Sequence, residues 1–177
     1  MKQIIFLLSL AVFSHSNTFA QYNSSKEVAT PELAAQREII KKDAVENYMQ
    51  VRKALIGSDS LNAAKYAAQF AASLEKFKFK KLTLEEMNAA TTIRGQVKQL
   101  AQQIAGITKI SQQRKLFAQM SDQFWKIADK VKPLNEKLFL QVCTMTGETW
   151  ISDKEEIENP IYPKNMLTCG VVKAKID

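Results

Sequence analysis

The sequence predicts an all-α fold, a four-helix up-down bundle with a small C-terminal hairpin or irregular cap that carries both cysteines. Three observations predict it. Apolar residues recur at spacings of three and four through four successive segments between residues 30 and 131. Those segments are bounded by cap and breaker residues. After Pro133 the apolar period changes from helical to alternating.

The N-terminus stands apart from that pattern. Met1 and Lys2 give a short positive start, and Ile4 to Phe13 is an almost unbroken apolar run. A bilayer span needs roughly 20 apolar residues, so this run is too short to be one. It has the length of a signal-peptide core, and the small residues ending Thr18-Phe19-Ala20 place cleavage after Ala20. Residues 1–20 are therefore read as a signal peptide, 21–29 (QYNSSKEVA) as a flexible lead-in, and 30–177 as one domain with its cap from about 134. No cysteine follows the apolar core closely, so a lipid anchor is not indicated. The expected product begins at Gln21, has no transmembrane segment and resides in a Gram-negative periplasm.

The first helix starts at Thr30-Pro31-Glu32: a hydroxyl cap, proline at the first helical position and an acid in the first turn. Leu33, Ile40, Ala44, Tyr48 and Leu55 mark its face, and Gly57 ends it after Ile56. Ser58-Asp59 caps a second helix over 60–77, rich in alanine at 63, 64, 67, 68, 71 and 72. Its expected anchors are Leu61, Phe70, Leu74 and Phe77. Thr83-Leu84-Glu85-Glu86 is a capping box for the third helix. Met87, Ala90, Val97, Leu100, Ala101 and Ile104 form its face, and Gly106 stops it. A fourth helix runs from about Lys109 to Val131 on Phe117, Met120, Phe124, Ile127 and Val131, and Pro133 closes it. Short connections between four helices suit an up-down bundle. In the cap, Leu138, Leu140 and Val142 alternate with Phe139 and Gln141, and Val172, Ala174 and Ile176 alternate near the end.

Composition removes several function classes. The chain carries a net charge of +7, and losing Lys2 leaves +6. In the cytosol that excess would point to nucleic acid. For an exported chain with acids interleaved among its lysines it reads as solvated faces, and no nucleic-acid partner is expected. The single histidine, His15, lies in the signal segment. The remaining chain therefore lacks the commonest general base and every His-ligated zinc arrangement. It is expected not to be an enzyme.

Chemistry concentrates near the C-terminus, in Cys143-x-Met145 and Met166-x-x-Cys169. Thiolate and thioether are soft ligands, which select Cu(I) over hard cations. The same two cysteines, 26 positions apart, suit a Cys143–Cys169 disulfide in an oxidising compartment, worth roughly 3 kcal/mol through the unfolded chain. Spacing leaves both readings open. A metal-free interaction module that docks on an envelope partner is the alternative function. The alanine-rich helix and the string Lys76-Phe77-Lys78-Phe79-Lys80-Lys81 motivate it. Asp153, Glu155, Glu156 and Glu158 lack the spacing of a calcium loop and read as a solvated turn. Trp125 reads as core, and Trp150 as a residue that pins the cap.

Four pieces of the cap resemble a known pattern: Cys143-x-Met145, Trp150-Ile151-Ser152, Asn159-Pro160 and Met166-Leu167-Thr168-Cys169-Gly170. They are similar to an uncharacterised envelope domain family, found free-standing or appended to copper/silver efflux adaptor subunits. Its pattern runs C-P-M, Trp-Leu-Ser, N-P-Y-x-G and M-x-x-C-G. Tyr48 to Leu55, the Ser58-Asp59 step and the alanine-rich helix after it resemble the family's opening, so the resemblance spans about 44–173. Thr144 stands where the family has proline, Ile161 replaces its tyrosine and Pro163 its glycine. The resemblance implies a Cu(I) or Ag(I) site on Cys143, Met145, Met166 and Cys169, with an efflux adaptor as partner. It also implies that Trp150, Asn159 and Pro160 pin the cap.

Overall fold

The computed structural model describes residues 30–177. The signal-peptide and lead-in readings at 1–20 and 21–29 lie outside the described residues. Four main helices come first: α1 (Pro31–Ile56), α2 (Ser60–Lys76), α3 (Leu84–Ala105) and α4 (Ile110–Val131). The Thr30 hydroxyl accepts from the Leu33 amide ahead of Pro31. Asp59 accepts from the Asn62 amide. Thr83 and Glu86 close a reciprocal capping box. These contacts satisfy amides that the first helical turn leaves without partners.

Consecutive helices pack against one another, α1 on α2, α2 on α3 and α3 on α4, with α1 also touching α4. On α2, Ala63, Ala67 and Ala71 are buried at intervals of four, beside Phe70 and Leu74. Small side chains there let neighbouring helices approach closely. Leu61 is not an anchor, being 76% exposed. Nine residues is about two and a half turns, which puts Leu61 on the face opposite Phe70. The core centres on aromatic rings from three helices. Tyr48 of α1 lies 5.7 Å from Phe70 and 5.1 Å from Phe117, and Phe70 lies 5.1 Å from Phe124.

The expectation of an all-α chain needs correction: a three-stranded antiparallel sheet follows the helices. It comprises β1 (Leu138–Val142), β2 (Thr149–Ser152) and β3 (Val171–Ile176), in the order β2-β1-β3. A one-turn helix, α5 (Pro163–Met166), precedes β3. β1 is buried on both sides of its pleat, which suits the centre of the sheet, with a strand paired on each edge. A lone hairpin would be marginal in water. Register pairs Leu140 with Ile151 and Gln141 with Trp150. On the other edge the register shifts between Leu140 and Gln141, a bulge that leaves Lys173 between the partners Val172 and Ala174. β3 exposes Lys173 and Lys175, which discourage edge-to-edge pairing. Among the described residues no helix is long and apolar enough to cross a membrane.

One hydrogen-bond chain joins sheet to helices. The Ile151 amide donates to the Tyr48 hydroxyl at 3.0 Å. Tyr48 pairs with Ser121 Oγ at 2.6 Å, and Ser121 donates to the Phe117 carbonyl at 2.7 Å. Burial pushes the Tyr48 phenol far above its usual range, so it stays neutral and donates onward. Tyr48→Phe strands the buried Ile151 amide and is expected to cost about 1–3 kcal/mol. Urea unfolding checks this as a lower midpoint at unchanged slope.

Candidate functional site

The site is built on the sheet's turn and on the segment that leads into β3. β1 delivers Cys143 to the start of a tight turn, where its amide donates to the Glu148 carbonyl at 2.9 Å. The Gly147 amide closes back on the Cys143 carbonyl at 2.9 Å. Gly147 has φ 80°, a conformation that glycine adopts without steric cost. Cys169 arrives from the other side, its amide bonded to the Met166 carbonyl at 3.0 Å just after α5.

Asn159 holds that arm in place. Its amide donates to the Leu167 carbonyl at 2.7 Å, and its side-chain nitrogen donates to the Cys169 carbonyl at 3.3 Å. Its Oδ1 accepts from the Ile161 and Tyr162 amides. The Pro160 carbonyl accepts from Arg114 Nε at 3.1 Å, while Arg114 Nη2 reaches the Leu55 carbonyl and the Ser58 hydroxyl at the end of α1. Buried Arg52 adds a second tie, donating to the carbonyl and carboxylate of Glu158 at 3.2 and 3.3 Å. Trp150 is fully buried and donates to Gln141 Oε1 at 2.6 Å. Gln141 Nε2 in turn meets the carbonyls of Lys154, Glu155 and Glu156. A Cβ on Gly170 would lie 3.0 Å from both the Trp150 ring and the Val142 carbonyl, so only glycine lets this backbone pass so closely.

The two thiols come together, Sγ to Sγ at 3.6 Å. Cys143 is buried and Cys169 partly exposed, and both are free thiols. Thr144 places its hydroxyl 3.7 Å from the Cys169 sulfur. Burial acts to raise the Cys143 thiol, but it is outweighed by hydrogen bonds from the Thr146 hydroxyl, the Met145 and Thr146 amides and the Cys169 thiol. The net shift is downward. Tyr162 donates to Glu148 Oε1 at 2.8 Å. That bond, burial and the nearby charges of Glu148 and Cys143 push the phenol upward. Glu148 Oε2 is buried without a hydrogen-bond partner among the described residues.

The two methionines lie two and three positions from these cysteines in the sequence. Met145 is 76% exposed at the turn. Met166 packs half-buried against the core from α5. The donor set fits a soft ion. Two sulfurs each about 2.3 Å from one metal, as in zinc thiolates, stand roughly 3.8 Å apart at a tetrahedral angle. Among the described residues no three His, Cys, Asp or Glu side chains group as metal ligands, so any further donor would be a thioether or come from outside.

Sequence reasoning missed Arg52, Arg114, Glu148 and Tyr162, and gave Tyr48 and Gln141 a place in a periodic pattern but no polar role. Two left a signal: Arg52 interrupts the apolar Val51–Leu55 face of α1, and Gln141 interrupts an apolar strand. A polar residue inside a buried pattern announces a partner without naming it.

A family model described as "Protein of unknown function (DUF3347)" matches residues 44–136. The match runs from Ala44 in α1 through α4 and stops short of β1, so the sheet and both cysteines lie beyond it. No curated protein and no solved structure matches the chain.

Proposed function

The chain belongs to that family of unknown function, and we propose that it is an exported, non-enzymatic protein that binds Cu(I) or Ag(I) through Cys143 and Cys169. In this reading Met166 and the exposed side chain of Met145 complete the ligand set, and the protein serves heavy-metal efflux in the periplasm beside an adaptor subunit. The observation that carries it is the pair of thiols 3.6 Å apart, one buried and one accessible, with the buried one shifted toward the thiolate. Metal binding needs deprotonated sulfur, and a depressed thiol keeps that form available to lower pH. The Cys143-x-Met145 and Met166-x-x-Cys169 motifs, and their resemblance to domains carried by efflux adaptors, support the same reading.

The test is Cu(I) titration of the reduced chain from Gln21 onward, in competition with a chromogenic chelator. One ion per chain is expected. Cys169→Ser should weaken binding by more than the roughly 10–100-fold typical of losing an outer-shell partner. Met145→Leu with Met166→Leu should weaken it less, since both thiolates remain. Undiminished affinity in the double methionine variant would remove the thioethers from the site, and an unaffected Cys169→Ser variant would remove the site altogether.

The same thiol distance favours a second reading, in which Cys143 and Cys169 close a disulfide and the cap is a rigid, metal-free docking module. Protein recovered without reductant, two hydrogens lighter and metal-free, would move the conclusion there.

A further inference from the structure

The string Lys76-Phe77-Lys78-Phe79-Lys80-Lys81 alternates charge and ring, and the structure uses that alternation. α2 ends at Lys76, so the string is not a helical face. Phe77 and Phe79 turn inward, ring centroids 5.0 Å apart and edge to face. Arg94 fastens the segment, donating to the Phe77 carbonyl and lying 5.7 Å from the Phe79 ring. Lys76, Lys78 and Lys81 are left exposed.

This segment forms one wall of a groove of about 1470 Å³. The opposite wall is the first turns of α1, where Leu33, Arg37, Ile40 and Lys41 share one helical face. Lys130 and Leu134 close the end, and Leu134 stands 70% exposed. The lining holds seven cations and one carboxylate, Glu38, a net of +6. The whole chain's +7 less Lys2, with Lys26 and Glu27 cancelling, is also +6 for residues 30–177. Two of the groove's cations are ion-paired, Lys41 with Glu38 at 3.0 Å and Lys130 with Asp129 at 2.9 Å, and the other five gather along the same two segments of the groove. A solvated lysine face would spread that charge; here it surrounds apolar side chains.

We propose that this groove binds a long-chain anionic amphiphile. Its acyl chain lies along Leu33, Ile40, Phe77, Phe79 and Leu82, and its acidic headgroup meets the lysines. The volume exceeds the roughly 300–1,000 Å³ of ordinary small-molecule pockets and suits an extended chain. Phe77 and Phe79 form a recessed floor that seats one molecule, whereas a bilayer face would need several apolar residues standing proud, and of the groove's large apolar side chains only Leu134 does. The inference is independent of the thiol pair, which lies in the C-terminal cap.

Calorimetric titration of the chain from Gln21 onward with dodecyl phosphate, below its micellar concentration, tests this. Saturable one-to-one binding is expected, falling as salt is raised. Lys78→Glu with Lys81→Glu should weaken it about ten-fold or more, at exposed positions that leave the fold intact. Leu33→Ser should also weaken it, whereas inorganic phosphate and the neutral dodecyl maltoside should bind poorly. Equal binding of inorganic phosphate would reduce the groove to an ionic patch, and equal binding of the maltoside would make its charge irrelevant. Sedimentation with anionic vesicles without uptake of monomeric dodecyl phosphate would assign the face to a membrane. Binding seen only after removal of residues 21–29 would assign the groove to that segment. Any of these four results overturns the proposal.

Discussion

Trp150→Ala is expected to destabilise the protein by about 3–5 kcal/mol, the usual loss for deleting a fully buried large ring. The ring does more than fill space. Its N–H holds Gln141 Oε1 at 2.6 Å, which orients the Gln141 amide toward three carbonyls of the 154–156 turn. Its far edge sets how closely Gly170, the neighbour of Cys169, can pass. Alanine therefore leaves a cavity, an unpaired buried amide oxygen and a loosened route into β3. For a domain of this size the melting temperature should fall on the order of 10 °C. Trp150→Phe keeps most of the packing and loses only the N–H, so it should fall between the two. A loss below about 1 kcal/mol for alanine would mean that the cap does not rest on this ring.

Oxidising Cys143 and Cys169 to a disulfide is expected to stabilise the domain by roughly 3 kcal/mol. Two features favour closure: the sulfurs already stand 3.6 Å apart, and the arms that carry them are anchored by Asn159 and by the β1–β2 turn. Entropy lost by the cross-linked unfolded chain then appears as stability with little native rearrangement. The depressed Cys143 thiol works against part of this gain. A group whose folded pKa is lowered stabilises the reduced fold above its unfolded pKa, and loses that contribution as pH falls through the folded value. The advantage of the disulfide should therefore be larger in mildly acidic than in alkaline buffer. Urea midpoints of diamide-oxidised and reduced protein measure it, with Cys143→Ser as the control that cannot close. Coincident midpoints would show that the bond strains the cap. The oxidised form should also take up no Cu(I), since neither sulfur is then a thiolate.

The helices were legible because their signals are local. Thr30 before Pro31, Asp59 before Ser60 and the Thr83–Glu86 box each act within four residues, and the structure starts α1, α2 and α3 beside them. β1 and β3 were legible as alternating segments, but Thr149–Ser152 was not, because four residues are too few to show a period. Cys143 and Cys169 stood out by residue type alone, whereas their 3.6 Å separation did not.

What the sequence by itself determined is where the chain turns helical, where each of the four main helices stops, and where soft donor atoms are gathered. Those outcomes depend on contacts between near neighbours, whose energies are the same in any fold. Tertiary structure decided the rest. It placed the Tyr48 hydroxyl under the Ile151 amide, 103 positions away, and Arg52 against Glu158, 106 positions away. It also turned an ordinary lysine string into one wall of a charged groove. Such pairings have no period to betray them, because a side chain meets a distant partner only once both of their elements have packed on the same core.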